Sequence, residues 1–198
     1  MVAHRWAIHS PVARPWHSLI AQQHAPTVRL YGRGMEFDTC ADCGRALDAH
    51  DRHIKFALPD PVLDAGQIDA ADMWLSGPDA KSSTLMQVQN VGAFVRALLP
   101  VTLTDDHVVT YGVWIAIDPA EFGRVFDVWW KPEYQDLALD GYLGNSVQPW
   151  GLLGSPVSIA VRDPESIPYC TQSSANQLQS VIADTWNHDL VLAAYWGN

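Results

Sequence analysis

Two cysteines at a metal-ligand spacing are the residues of this chain whose chemistry is easiest to define. They lie in the run Cys-Ala-Asp-Cys-Gly at positions 40–44. Two thiolates spaced in this way in a tight turn can bind one Zn²⁺ at about 2.3 Å, and the glycine permits the turn. A structural zinc ion takes four ligands, and the chain has no second pair of this kind. His50 and His53 lie close by in the sequence and could supply the two missing ligands. We therefore predict a zinc site formed by Cys40, Cys43, His50 and His53.

Other interpretations of the cysteine pair stay open. A redox dithiol would sit at the end of a strand, and the preceding Phe-Asp-Thr at 37–39 is a poor strand. The pair could also form a turn without any ligand. More distant or weaker candidates for metal ligands are Asp48, Asp51, Cys170 and His188. Three cysteines in total cannot form a complete set of internal disulfides, which points to a reducing compartment. We expect a cytoplasmic protein.

No catalytic motif accompanies these residues. The chain lacks the Gly-x-Ser-x-Gly nucleophile turn, the His-Glu-x-x-His zinc motif and the signature of the zinc deaminases. We predict no catalytic residues and no organic cofactor, and favour a protein that is not an enzyme. The alternative is a small hydrolase or transferase whose active site combines the dispersed residues Arg96, His107 and His188.

Composition and charge narrow the function classes. Apolar residues make up 48% of the 198 residues, enough for a buried core, and no stretch of 18 apolar residues predicts a membrane span. The net charge is −10, and no cluster of Lys and Arg indicates a nucleic-acid surface. Residues 1–35 hold four Arg and no acid, so the remainder carries 8 basic and 22 acidic residues. We interpret 1–35 as a flexible basic extension or a mis-called start before Met35, and 36–198 as one globular domain.

The chemistry-bearing residues must be positioned by strands and a few helices. Runs at 85–88, 93–103, 107–117, 141–145 and 157–161 are β-branched or aromatic and predict strands. Asp118-Pro119 and Glu121 form a helix start, after which Phe122, Val125, Phe126 and Trp129 predict one apolar stripe facing a sheet. A second helix is expected from residue 174. The prediction is an α+β fold: an antiparallel meander sheet packed by one or two amphipathic helices, with an N-terminal Cys-x-x-Cys knuckle.

The order of these segments resembles a known family. The knuckle at 40–44, Phe-Val-Arg at 94–96, Gly-Val-Trp at 112–114, the capped helix and the Gly-Tyr-Leu-Gly-Asn run at 141–145 are similar to the bacterial domain-of-unknown-function family 2199, over about residues 36–196. The resemblance implies a cytoplasmic bacterial protein with a metal-binding knuckle, and no known activity. The family pattern implies a histidine three residues after the knuckle glycine, where this chain has Leu47. Either His50 or His53 replaces it, or this branch has lost the metal.

These observations lead to a functional expectation. We expect a non-enzymatic, zinc-responsive adaptor or regulatory protein that binds a macromolecular partner. An incomplete thiolate site can couple metal binding to local order. The acidic body favours a basic protein partner, such as one in a ribonucleoprotein assembly, over direct contact with nucleic acid or membrane.

Overall fold

A long two-stranded hairpin forms the centre of this protein. The structure is a computed structural model that describes residues 51–104 and 107–196. Its central strands, β4 (Gly92–Thr102) and β5 (Val108–Ile117), pair antiparallel along their whole length, from Ala93 opposite Ile117 to Thr102 opposite Val108. Both strands are rich in β-branched and aromatic residues, which pack well on a pleated surface.

Five strands close into a barrel that contains this hairpin. After β5 come β6 (Ala138–Leu143), β7 (Pro156–Ala160) and β8 (Tyr169–Gln172), each antiparallel to the strand before it. Strand β8 then pairs parallel with β4, through Leu98 and Tyr169, and closes the ring. At the β5–β6 seam a Cβ on Gly141 would lie 2.4 Å from the carbonyl oxygen of Ala116, so only glycine permits this approach.

Three further strands extend the sheet outside the ring. Strand β1 (Asp51–Lys55) runs parallel to the first half of β5, while β3 (Leu85–Val88) and β2 (Met73–Leu75) continue antiparallel from the first part of β4. The predicted antiparallel meander sheet is therefore wrong, because the strands close into a barrel and two of their pairings are parallel. A local pattern of alternation cannot show that a later strand returns to pair with an earlier one. The predicted knuckle lies outside the described residues.

Within the described residues, four short α-helices complete a fold in which strands predominate. They are α1 (Asp60–Asp64), α2 (Phe122–Val128), α3 (Asn176–Ala183) and α4 (His188–Trp196). The predicted first helix is present, but it begins at Phe122, and its stripe is incomplete. Phe122, Val125 and Trp129 are buried, whereas Phe126 is 52% exposed. Within the described residues, none of the helices has the length and apolar character needed to cross a membrane.

Alternation along β4 and β5 divides the hydrophobic residues between two clusters. The inward residues fill the barrel, including Val95, Ala97, Leu99, Tyr111 and Val113. The outward residues Phe94, Trp114 and Ala116 form a second cluster with Val62 of α1 and Met86 of β3. Because side chains of a strand alternate between its two faces, one hairpin contributes to both clusters.

Candidate functional site

A buried arginine organises the outer face of the hairpin. Arg96 of β4 is 1% exposed, and its guanidinium lies 4.0 Å from the ring centroid of Trp114 on β5. It donates five hydrogen bonds to backbone carbonyls, at donor–acceptor distances of 2.8 to 3.5 Å. The acceptors are the carbonyl oxygens of Phe56, Ala57, Ala80, Ser83 and Gly112. Arg96 thereby fastens the 56–57 and 80–83 segments to the hairpin.

A second buried polar group continues this network. The side-chain oxygen of Asn145 accepts the backbone N–H of Trp114, and its amide donates to Leu58 and to the carboxyl of Asp60. The other oxygen of Asp60 accepts the N–H of Ser146. Burial raises the pKa of Asp60, and these hydrogen bonds act in the opposite direction. The segment that follows β1 is thus held at both ends by buried polar side chains.

A cavity of about 300 Å³ opens beside Arg96 on the same face. Its floor is the outer side of β4 and β5, with Leu98, Thr110 and Gly112. One wall is β1, since His53 pairs with Thr110 and Lys55 with Gly112. A Cβ on Gly112 would lie 3.3 Å from Cγ of Lys55, so the glycine gives the lysine stem its path across the floor.

The opposite wall consists of the 163–167 segment and Trp130. Asp163, Glu165 and Trp130 all line the cavity, and the segment leads into β8, on the far side of β4. Tyr134 joins the two parts of this wall: its hydroxyl donates to the carbonyl oxygen of Ser166, and its ring centroid lies 5.0 Å from that of Trp130. Burial raises the pKa of Tyr134, and the charge of Asp163 raises it further.

Trp130 has an unusual backbone. Its φ is 61°, in the left-handed region that a bulky residue rarely occupies, and the residue is 56% exposed. Such a conformation persists only where the surrounding structure enforces it, and it is concentrated at functional sites. Here it directs an indole along the cavity wall.

Of the four predicted zinc ligands, the structure places one. His53 lies in the cavity wall, and Cys40, Cys43 and His50 lie outside the described residues. Within 51–104 and 107–196, no group of three or more His, Cys, Asp or Glu side chains could hold a metal ion. A metal ion with three or more such ligands, His53 among them, would therefore need at least one ligand from outside the described residues, and the predicted set stays a prediction.

The structure brings two of the three residues of the alternative active site together. The ring centroids of His107 and His188 are 4.7 Å apart, and Nδ1 of His188 lies 3.1 Å from Oγ1 of Thr104. Nε2 of His188 lies 3.1 Å from a carboxylate oxygen of Asp189. Arg96 precedes Thr104 by eight residues, about 26 Å along an extended strand. The histidine pair and Arg96 therefore belong to different parts of the molecule.

Cys170 belongs to neither group. It lies on β8 inside the barrel, opposite Ile159, and is 1% exposed. Burial raises the pKa of its thiol to about 12. A thiol held in this protonated form is a poor nucleophile and a poor metal ligand, so Cys170 is a packing residue of the core.

A second exposed surface lies at the edge of the sheet. Trp74 of β2 makes edge-to-face contacts with Phe122 and Phe126 of α2, each at 5.6 Å between centroids. Trp74 is 41% exposed, and Phe126 is exposed beside it. The two chain segments that carry these rings, 69–75 and 118–127, contain five acidic residues and one basic residue, Arg124, which is ion-paired with Glu121. We call Trp74, Phe126 and these acids the aromatic–acidic surface.

Comparison with known proteins identifies the family. The chain matches the family model described as "Uncharacterized protein conserved in bacteria (DUF2199)" over residues 39–189. The chain belongs to this family. The predicted resemblance over about 36–196 is thereby confirmed, and the match includes the barrel, the cavity walls and the aromatic–acidic surface. No curated protein and no solved structure matches the chain.

The cavity was not predictable from the sequence. Asp163, Glu165 and Trp130 are separated from His53 by more than 70 residues, and no motif connects them. One signal was present: Gly112 lies within the strongest predicted strand, and glycine inside a strand often marks a close approach of another group. The aromatic–acidic surface was missed because Phe126 has the spacing of a buried stripe residue.

Proposed function

We propose that this protein is a non-enzymatic, zinc-responsive adaptor that binds a basic segment of a partner protein. The observation that carries the proposal is the aromatic–acidic surface. Exposed Trp and Phe faces attract Arg and Lys side chains, and surrounding carboxylates strengthen that attraction. Proteins of ribonucleoprotein assemblies carry such basic segments, because they neutralise phosphates.

The position of the surface supports an extended partner segment. Trp74 lies on β2, the terminal strand of the sheet order, which pairs only with β3 within the described residues. An unpaired strand edge can accept hydrogen bonds from an added peptide strand. Basic side chains of that strand would then meet the rings of Trp74 and Phe126 on one face.

The zinc response is supported by the place of His53. It lies on β1, directly after the cysteine segment, and in the wall of the cavity. Strand β1 has five residues and pairs only with β5 in the described part of the chain. A metal ion bound by Cys40, Cys43, His50 and His53 would anchor this short strand, since binding energy at such sites is converted into local order.

The partner proposal is tested with peptides and the full chain. An Arg- and Lys-bearing peptide should bind, and a peptide of the same length with Gln at the basic positions should not, as measured by fluorescence anisotropy. The double variant Trp74→Ser/Phe126→Ser should lose at least tenfold in affinity. Tyr142→Ser is the matched control, since Tyr142 is also 41% exposed but lies on β6. Equal binding of both peptides, or an equal loss in the control, contradicts the proposal.

Elemental analysis of protein purified without chelator tests the zinc response. About one zinc per chain is expected, and less than about 0.2 would refute it, because true sites bind far more tightly. The variant Cys40→Ser/Cys43→Ser should lose the metal, and Cys170→Ala should keep it. Addition of zinc should slow hydrogen exchange of the β1 amides in the native sequence and not in the double variant. That result would show that zinc binding orders β1.

A small hydrolase or transferase is the second candidate. The observation in its favour is the hydroxyl–imidazole–carboxylate row of Thr104, His188 and Asp189, with His107 against the imidazole. Oγ1 of Thr104 also accepts the backbone N–H of His188, at the start of α4, so the row has a structural use as well. Ester turnover that disappears in His188→Ala would favour this candidate.

A further inference from the structure

We propose that a groove on the outside of the barrel binds a neutral oligosaccharide. The groove has a volume of about 820 Å³, in the upper part of the range for small-molecule sites. It crosses β6, β7 and the end of β8, between the segment that follows β5 and the start of α3. The inference does not depend on zinc or on the basic partner. It rests on a row of polar groups, on one exposed aromatic ring and on the sign of the charges.

The row of polar side chains crosses the three strands at one level. Asp140 of β6 lies opposite Ser158 of β7, and Ser158 lies opposite Gln172 of β8. Adjacent strands are about 4.8 Å apart, so the row is about 10 Å long, which exceeds the width of a single sugar ring. Leu139 and Ile159, the neighbours of Asp140 and Ser158 along their strands, belong to the barrel core. The row therefore faces away from the core and into the groove.

Donors and acceptors lie side by side in this row. Oγ of Ser158 donates to one carboxylate oxygen of Asp140 at 2.5 Å, and the side-chain amide nitrogen of Gln172 lies 3.5 Å from the same Oγ. In the described part of the chain, these contacts leave the second oxygen of Asp140 and the amide oxygen of Gln172 as acceptors. A hydroxyl group can both donate and accept. Adjacent hydroxyls of a sugar can therefore donate to these two oxygens and accept from the amide.

Tyr142 adds an apolar face beside the row. It lies on β6 two residues after Asp140, opposite Pro156 of β7, and is 41% exposed. Side chains two residues apart on a strand share a face, so the ring lies next to the carboxylate. A sugar ring presents C–H groups on its face and hydroxyls at its edge. The face can pack on the exposed aromatic ring while the hydroxyls reach the polar row.

The charges of the groove disfavour an anion. Among the described residues, its lining contains the carboxylates of Asp118 and Asp140 and no Lys, Arg or His. Each carboxylate already accepts one hydrogen bond, from the backbone N–H of Ala120 and from Ser158 respectively. A phosphate, a sulfate or an acidic sugar would be repelled, whereas a neutral sugar can donate hydroxyl hydrogens to these oxygens. Asp118 also belongs to the aromatic–acidic surface, so a cation is the ligand that the test must exclude.

The wall beside α3 is held in place by its own hydrogen bonds. The backbone N–H of Ser173 donates to the side-chain oxygen of Gln179 on α3. The hydroxyl of Ser173 donates to the carbonyl oxygen of Pro156 on β7 and accepts the N–H of Ala175. These contacts join the start of α3 to the strand that carries Ser158. A wall that is already ordered loses little conformational entropy on binding, which favours affinity for a small ligand.

Saturation-transfer NMR and calorimetric titration of the full chain test the site. The probes are neutral trisaccharides of glucose, mannose, galactose and N-acetylglucosamine, and at least one should bind with a Kd below about 1 mM. Sulfation of that sugar should weaken binding at least tenfold, and L-argininamide at about 10 mM should not displace it. Absence of binding by all of these sugars, equal binding of the sulfated form, or displacement by L-argininamide would overturn the proposal.

Variants locate the bound sugar. Tyr142→Ser should weaken binding at least tenfold, and Tyr142→Phe, which keeps the ring, should change affinity less than about threefold. Asp140→Ala and Gln172→Ala should each weaken binding about fivefold or more, and they keep the test decisive if Tyr142→Ser does not fold. Trp74→Ser alters an exposed ring outside the groove and should leave affinity unchanged.

Full affinity in Asp140→Ala and Gln172→Ala, or an equal loss in Trp74→Ser, would rule the groove out. Failure here is distinguishable from failure of the partner proposal, because basic peptides are expected to depend on Trp74 and Phe126 and not on Tyr142.

Discussion

The inner and outer faces of the β4–β5 hairpin come from the same two strands but differ in what they bury. The inner face is an apolar core in which Val95, Leu99 and Val113 are fully buried. The outer face buries a charged residue, Arg96, and leaves a cavity beside it. An apolar core needs only shape and hydrophobicity, whereas a buried charge needs hydrogen-bond partners in fixed positions. The outer face therefore requires particular groups at fixed positions, whereas the inner face should tolerate exchange among apolar residues of similar size.

The largest expected effect comes from removing the charge on the outer face. Arg96→Met keeps a long side chain but leaves five carbonyl acceptors without this donor. Unsatisfied buried groups cost about 1–3 kcal/mol each, so we expect a loss of about 4 kcal/mol or more in the free energy of unfolding, measured by urea denaturation. Arg96→Lys should not restore it, since an ammonium cannot reproduce the planar fork.

The control for this variant is Arg124→Ala. Arg124 is exposed and paired with Glu121 on the surface of α2, so we expect a change below about 0.5 kcal/mol. If Arg96→Met were as mild as this control, the hydrogen-bond network would not hold the outer face.

A smaller effect is expected on the inner face. Leu99→Ala removes buried methyl groups from the barrel and should cost about 3 kcal/mol in the same measurement. It leaves the polar contacts of the outer face in place, so the 56–57 and 80–83 segments, which Arg96 holds, should show no local opening in hydrogen exchange beyond the fall in global stability. Local opening of these segments in Leu99→Ala would show that the two faces are not independent.

The smallest effect concerns Cys170, the titratable thiol of the inner face. Its pKa is raised to about 12 by burial, above its ordinary value near 9. The unfolded thiol then ionises first, so the stability that the buried thiol contributes is present below pH 9 and declines as the pH rises toward 12. In Cys170→Ala the free energy of unfolding should depend less on pH over this interval.

Thiol reagents give an independent check of that statement. At neutral pH Cys170 should not react with a thiol reagent in the native protein, and it should react once the protein is unfolded in urea. Rapid labelling of Cys170 in the folded Cys40→Ser/Cys43→Ser variant would contradict its burial in the core.

Much of the fold was predictable because its signals are local. The strands at 85–88 and 107–117 and the helix after Asp118 follow from residue type and spacing, and the structure contains each of them. The exposure of Phe126 was not predictable, since its spacing matches that of its buried neighbours. Arg96 was predicted as one residue of the alternative, dispersed active site, and its contacts with five carbonyls were not predictable because they depend on segments up to 40 residues away.

Some properties of this protein are determined by its sequence alone, and the cysteine pair is an example. The thiolate spacing, the odd cysteine count and the family follow from the chain alone, because each depends on residue identity and order. The closure of β8 on β4, the two parallel pairings and the meeting of Trp130 with the β1 wall were decided only by the tertiary structure. Pairing between distant strands depends on which edges remain available after local hairpins have formed, and no short stretch of sequence contains that information.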